Sequence, residues 1–189
     1  MRPKKELLVV RHGQTDSNKG FLAIGSTDIN IPLNEKGIEQ AHRNRERLKH
    51  KLIGAIYCSE YLRTQQHAEI INEEHGVEII VRPELNEKNF GDMEGKKLSI
   101  ADYWNLWDRK KTQSLPGNGE SMDDFFKRVF PFFDELLENP TDKMNLIVAH
   151  GGIVRALRTY NGFIPNNSSI IHWKNGWARE IALHPRKKD

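Results

Sequence analysis

The sequence predicts an α/β protein: a three-layer α/β/α sandwich around a mainly parallel sheet, one domain over residues 1–189 with a small helical cap inserted at about 88–118. Three observations carry this. Short, fully apolar runs recur along the chain and read as strands buried on both faces. Segments with helical hydrophobic spacing lie between them. The three strongest apolar runs each stop abruptly at residues rich in chemistry, and ligands of open α/β sheets bind beyond the carboxyl ends of the strands.

The first run, Leu7–Val10, ends at Arg11-His12-Gly13. Ile38, Ala41, Leu48 and Leu52 then share a helical face, with Asn34 as N-cap. Ala55–Cys58 is the second run; it stops at Ser59, with Arg63 four residues on. Ile79–Val81 is a weaker strand. Residues 88–118 interrupt the strand–helix rhythm, which makes them the natural place for a cap. Within them Tyr103, Trp104 and Trp107 cluster at helical spacing ahead of Arg109-Lys110-Lys111; core packing followed by a solvated charge run explains this better than a lid closing over substrate. Met122, Phe125, Phe126, Val129, Phe133, Leu136 and Leu137 form the clearest helical stripe, capped by Ser121, and Pro131 should kink that helix. Leu146–Ala149 is the third strong run and stops at His150-Gly151-Gly152. Ile170–Trp173 and Trp177–Leu183 read as a closing hairpin.

With 29% charged residues and a mean hydropathy of −0.69, the composition is that of a soluble globular protein. No apolar run exceeds four residues, so neither a transmembrane helix nor a secretory h-region is expected. The lone cysteine, Cys58, cannot form an internal disulfide and suits a reducing cytoplasm. A pI of 8.9 invites a nucleic-acid reading. The charge is at the ends, however: residues 2–6 and 186–189 carry +4 between them against +3 for the whole chain, which leaves the body at −1. No basic binding face and no membrane partner follow from that distribution.

If the three strong strands are parallel, their ends converge on one mouth lined by Arg11, Arg63, His12, His150 and backbone released by glycines. That set matches a compact dianion such as a phosphoryl group. Arginine offers planar, always-charged forks to phosphate oxygens, and a helix starting near Gly151 offers N–H groups. The remaining histidines (His42, His50, His67, His75, His172, His184) lack zinc-ligand spacing, and one cysteine makes no zinc knuckle, so no metal and no cofactor is expected.

The stretch Leu8-Val9-Val10-Arg11-His12-Gly13-Gln14-Thr15-Asp16-Ser17-Asn18 resembles the signature of the histidine phosphatase superfamily, also called the phosphoglycerate-mutase-like family. Ser59-Glu60-Tyr61-Leu62-Arg63, Glu87-Lys88-Asn89-Phe90-Gly91-Asp92-Met93-Glu94-Gly95 and Val148-Ala149-His150-Gly151-Gly152 resemble its later blocks in the right order. Pro116–Ser121 is similar to its loop before a long helix, and Asn167-Ser168-Ser169-Ile170, less specifically, to a late asparagine block. The resemblance implies that His12 is a nucleophile forming a phosphohistidine, that Arg11, Arg63 and His150 neutralise the phosphoryl oxygens, and that Glu87 is the general acid and then base. It further implies substrate contacts from Asn18, Ser59, Gly151 and Asn167. The bland alternatives are an exposed surface carboxylate for Glu87 and a satisfied structural histidine for His12. Two residues depart from the family pattern: His67 stands where threonine is frequent, and Thr64 where a small alanine is common. Both follow Arg63 along a helix and are expected to affect packing rather than chemistry.

A mutase of this family keeps its phosphohistidine dry and returns the phosphoryl group to a sugar acid; a phosphatase admits water. The mutases' acid block usually reads Glu-Arg-His-Tyr-Gly, and theirs are longer chains. Glu87-Lys88-Asn89-Phe90-Gly91, followed by Glu94-Gly95, is similar instead to the short bacterial phosphatases. The expectation is therefore a cytoplasmic, metal-independent phosphomonoesterase acting on small phosphorylated metabolites. The alternatives are a cofactor-dependent phosphoglycerate mutase and a non-catalytic phosphate-binding protein of the same fold, which would have no need of Glu87.

Overall fold

The computed structural model describes residues 4–19, 22–23, 25, 29–107, 114–139, 141–163 and 174–186, with backbone only at Ile100, Tyr103 and Trp104. A five-stranded sheet runs in the order β3-β2-β4-β1-β5. Its strands are β1 (Lys5–Arg11), β2 (Ile53–Cys58), β3 (Ile79–Val81), β4 (Met144–Ala149) and β5 (Ala178–Leu183). The first four are parallel, and β5 pairs antiparallel with β1 along the edge. Of the expected hairpin, the 170–173 arm lies outside the described residues, and the described arm, β5, pairs with β1.

The strands are apolar on both faces because helices cover both. Leu7, Val9, Ile147 and Ala149 point to one side, against α5 (Met122–Glu138) and α6 (Gly151–Tyr160). Leu8, Val10, Leu146 and Val148 point to the other, where α2 (Glu35–Leu48) and α3 (Leu62–Asn72) supply Leu48, Ala68 and Ile71. Alternate residues of one strand thus feed two cores. Two short helices complete the described set, α1 (Asp16–Lys19) and α4 (Ile100–Leu106), with single 3₁₀ turns at Pro83–Leu85 and Gly91–Met93. Among the described residues no helix is long and apolar enough to cross a membrane.

The α5 stripe is buried as expected, together with Phe132, and Ser121 caps it by accepting the N–H of Asp124. Pro131 sits on the exposed face of one continuous helix. The expected face of α2 is corrected. Asn34 does cap the helix, but Ile38 and Leu52 are 40% and 64% exposed, and the buried positions are Gly37, Ala41, Asn44 and Leu48. The cause is a close approach of backbones: a Cβ on Gly37 would stand 2.1 Å from the Gln14 carbonyl oxygen, and one on Gly13 would stand 2.4 Å from that of Gly37. Docking through Gly37 rotates Ile38 to the surface.

Candidate active site

Sheet register sets the site. Arg11 is level with Ala149 and Cys58 with Val148, so the residues that follow β1, β2 and β4 leave the sheet side by side. His12 comes off β1, with its N–H donating to the Ala149 carbonyl at 2.9 Å. Its ring and that of His150, the N-cap residue of α6, meet edge to face with centroids 5.1 Å apart. Both are buried. Arg63, on the first turn of α3, is 1% exposed, with its guanidinium over the Tyr61 ring at 4.6 Å.

The ring of His12 is held in one tautomer. Its Nδ1–H donates to the Gly13 carbonyl at 2.7 Å, so the unprotonated nitrogen is Nε2. Burial, with Arg63 and Arg11 nearby, holds the His12 pKa well below the usual histidine range; the Gly13 bond opposes this but does not prevail. His150 is pushed well down by the same causes. Its Nε2 lies 2.8 Å from the Ser59 hydroxyl, and its buried Nδ1 has no partner among the described residues. The Asn18 side chain accepts the Thr15 N–H through Oδ1, while its Nδ2, also buried, has no such partner. Two buried polar nitrogens thus await partners, and that of His150 lies near Arg63 and Arg11, a setting that fits an anion.

Glu87 is 9% exposed, which removes the surface-carboxylate alternative. Its Oε2 accepts the Gly152 N–H of α6 at 3.0 Å and its Oε1 the Lys88 N–H at 2.9 Å. Burial raises its pKa above the usual carboxylate value, against those two N–H donors and the charges of Arg11 and Arg63. Gly152 is required here, since a Cβ on it would stand 2.0 Å from Glu87 Oε1 and 2.7 Å from the Trp107 rim. On Gly151 the Cβ would meet Arg11 and Glu87 in ordinary contact, at 3.8 and 4.0 Å. Asn167 lies outside the described residues.

Several residues bear on the site that sequence reasoning left out or read otherwise. Thr64 and His67 were expected to affect packing alone. In fact Thr64 Oγ1 lies 2.7 Å from Ser59 Oγ, which holds His150, and His67 Nδ1 accepts the Gly13 N–H at 2.9 Å. The signal was present: His67 is four residues after Arg63, on the same helical face. Arg128 of α5 donates to Glu120 and to the carbonyls of Pro83, Glu84, Asn86 and Glu87, fixing the loop that carries Glu87. Its signal was a cation at helical spacing from the buried Phe125, Val129 and Phe132. Lys88 is fully buried, its ammonium donating to the Leu106 carbonyl at 3.0 Å near the Phe90 and Trp107 rings; burial lowers its pKa to about 8.

Comparison with known proteins identifies the family. The family model of the histidine phosphatase superfamily (branch 1) matches residues 7–187. A phosphoglycerate mutase-like protein of Arabidopsis thaliana is 31% identical over 160 residues, 80% of this chain and 69% of that protein. A probable phosphoglycerate mutase of Yersinia pestis is 33% identical over 151 residues, 77% of this chain and 69% of its own length. Among solved structures, a putative alpha-ribazole-5'-P phosphatase from Escherichia coli is similar with a TM-score of 0.78 at 27% identity, over 95% of this chain and 91% of that one. A mycobacterial glucosyl-3-phosphoglycerate phosphatase gives 0.79 at 26%, over the same shares of the two chains.

Proposed function

The chain belongs to branch 1 of the histidine phosphatase superfamily; from that premise we propose that it is a phosphomonoester hydrolase that works through a phosphohistidine on His12, without a metal ion, on small phosphorylated metabolites in the cytoplasm. The observation that carries this reading is the His12 ring, tied at Nδ1 to the Gly13 carbonyl and so left with a free lone pair on Nε2.

In the first step Nε2 forms a bond to phosphorus while the bond to the leaving oxygen breaks. Glu87, whose acid form burial favours, gives its proton to that oxygen. In the second step Glu87 takes a proton from water, the oxygen attacks phosphorus, and the P–N bond breaks to restore the His12 lone pair. Charge spreads over the equatorial oxygens of a loose transition state, where Arg11, Arg63 and His150 stabilise it. Asn18 Nδ2 and the Gly151 end of α6 are further substrate contacts, as is Asn167. Ser59 acts through His150, to which its hydroxyl is bonded. The 88–118 segment serves as the cap, with Lys88 tying it to α4 and the Trp107 rim beside Gly152 closing one wall.

Phosphatase is favoured over mutase by the Lys88-Asn89-Phe90 acid block and by the similar solved phosphatases. The test is an assay in EDTA of p-nitrophenyl phosphate against 3-phosphoglycerate, with acid-quenched labelled enzyme. We expect hydrolysis of the aryl ester without added metal, an acid-labile phosphoryl adduct, and loss of both in His12→Ala. Activity within tenfold of wild type in His12→Ala, or recovery that requires Mg²⁺, overturns the reading.

A further inference from the structure

His67 has no role in the chemistry above, yet it is fully buried on α3 against the loop that carries the nucleophile. Its Nδ1 accepts the N–H of Gly13 at 2.9 Å. A ring nitrogen that accepts is unprotonated, so the proton of the neutral ring is on Nε2. On the other side of the loop the Asn44 side-chain amide donates to the Gly176 carbonyl at 3.1 Å, and the Gly176 N–H donates to the carbonyls of Arg11 and His12, at 3.1 Å each. His67 and Gly176 thus hold the His12–Gly13 peptide from two sides, one at its N–H side and one at its carbonyls. Gly13 is pressed from another side by Gly37, with no space for a Cβ between them. Its own carbonyl is the acceptor that keeps the proton on His12 Nδ1.

We propose that His67 is a positioning residue for the nucleophile: by holding the Gly13 N–H it fixes the orientation of the residue whose carbonyl selects the His12 tautomer and aims Nε2 at phosphorus. This rests on the reading of His12 as the nucleophile. Without an acceptor in the place of Nδ1, a buried N–H would lose its partner, and the loop would turn to find another. The Gly13 carbonyl would turn with it. Protonation of His67 would set two donors against each other, and burial, which lowers its pKa to about 3, keeps the ring neutral. A threonine hydroxyl there would have to reach Gly13 from a shorter stem.

Three variants separate this from a packing role. In asparagine, Oδ1 takes the place of imidazole Nδ1; glutamine carries its acceptor one bond further out; leucine has none. We expect His67→Asn to keep kcat within about threefold, and His67→Gln and His67→Leu to lose about 10²-fold in kcat with little change in KM, the cost of a reacting group displaced by about 1 Å. Nitrogen-15 spectra of the ring should show His12 as the pure Nδ1–H tautomer in wild type and His67→Asn, and as a mixture in the other two. Equal kcat for the asparagine and glutamine variants overturns the proposal. So does a wild-type spectrum with His67 protonated at Nδ1, a reading that needs no variant to fold. The phosphoryl adduct keeps the two readings apart. If wild type forms none, the role of His12 fails; if it forms one and His67→Gln forms it at the wild-type rate, only the positioning role fails.

Discussion

Glu87 shows how competing effects decide the role of one residue. Two backbone N–H bonds and the charges of Arg11 and Arg63 favour its ionised form, burial opposes it, and burial prevails. Nearby carboxylates are engaged elsewhere: Glu94 accepts the Gly25 and Phe90 N–H groups, and Glu120 accepts Arg128. An alkyl alkoxide needs a proton to leave and p-nitrophenolate needs little, so Glu87→Gln should slow alkyl phosphate hydrolysis by about 10²–10⁴-fold and the aryl ester much less. The pH profile should follow. The acid form of Glu87 is lost as pH rises through its raised pKa, which gives kcat/KM on an alkyl phosphate an alkaline limb. The limb from His12 protonation lies well below 6.5. Glu87→Gln should remove the alkaline limb; equal small losses on both substrates with that limb intact would make Glu87 a bystander.

At the scale of elements, the acid loop depends on α5. The guanidinium of Arg128 reaches the carbonyls of residues 83, 84, 86 and 87 and pairs with Glu120, which in turn accepts the Asn89 N–H. Methionine at 128 keeps the stem and removes every one of these donors. Arg128→Met should cost about 1.5–3 kcal/mol of stability, the range for hydrogen bonds to charged groups. Because the loop carries Glu87, it should also reproduce the leaving-group pattern of Glu87→Gln while inorganic phosphate inhibits as in wild type. Thermal melts and the two-substrate ratio check both parts; an unchanged ratio would detach the loop from the acid.

For the whole molecule, three buried histidines make stability depend on acid. His12, His67 and His150 all have folded-state pKa values below the ordinary 6.5, with His67 at about 3. Below 6.5 the unfolded chain binds protons that the folded chain refuses. Stability is therefore complete above 6.5 and falls as pH drops through the window toward 3, by up to about 1.4 kcal/mol per pH unit for each such group. Glu87, with its raised pKa, acts in the opposite sense, losing stability as pH rises above the unfolded carboxylate value. Urea melts from pH 7 to 4 should show a fall steeper than a single titrating group allows, and His67→Asn should lessen it by about one proton. Bound phosphate should reduce the slope by holding the folded state. A flat profile over that range would mean these rings are charged in the folded protein.

The sequence by itself determined the sheet and the residues at its mouth. Apolar runs on both sides of a period-2 pattern name buried parallel strands, and Arg11-His12-Gly13, Ser59 and His150-Gly151-Gly152 mark their carboxyl ends, since local pattern and strand termini are properties of contiguous residues. It named the α5 stripe for the same reason. Contacts between distant segments it left undecided. Gly37 against Gly13 turned α2 and exposed Ile38; Arg128, 41 residues from Glu87, came to hold the acid loop; and His67, 54 residues from Gly13, became part of the site. Each depends on which buried backbone group lacks a partner once the layers have packed, and only the tertiary structure supplies that.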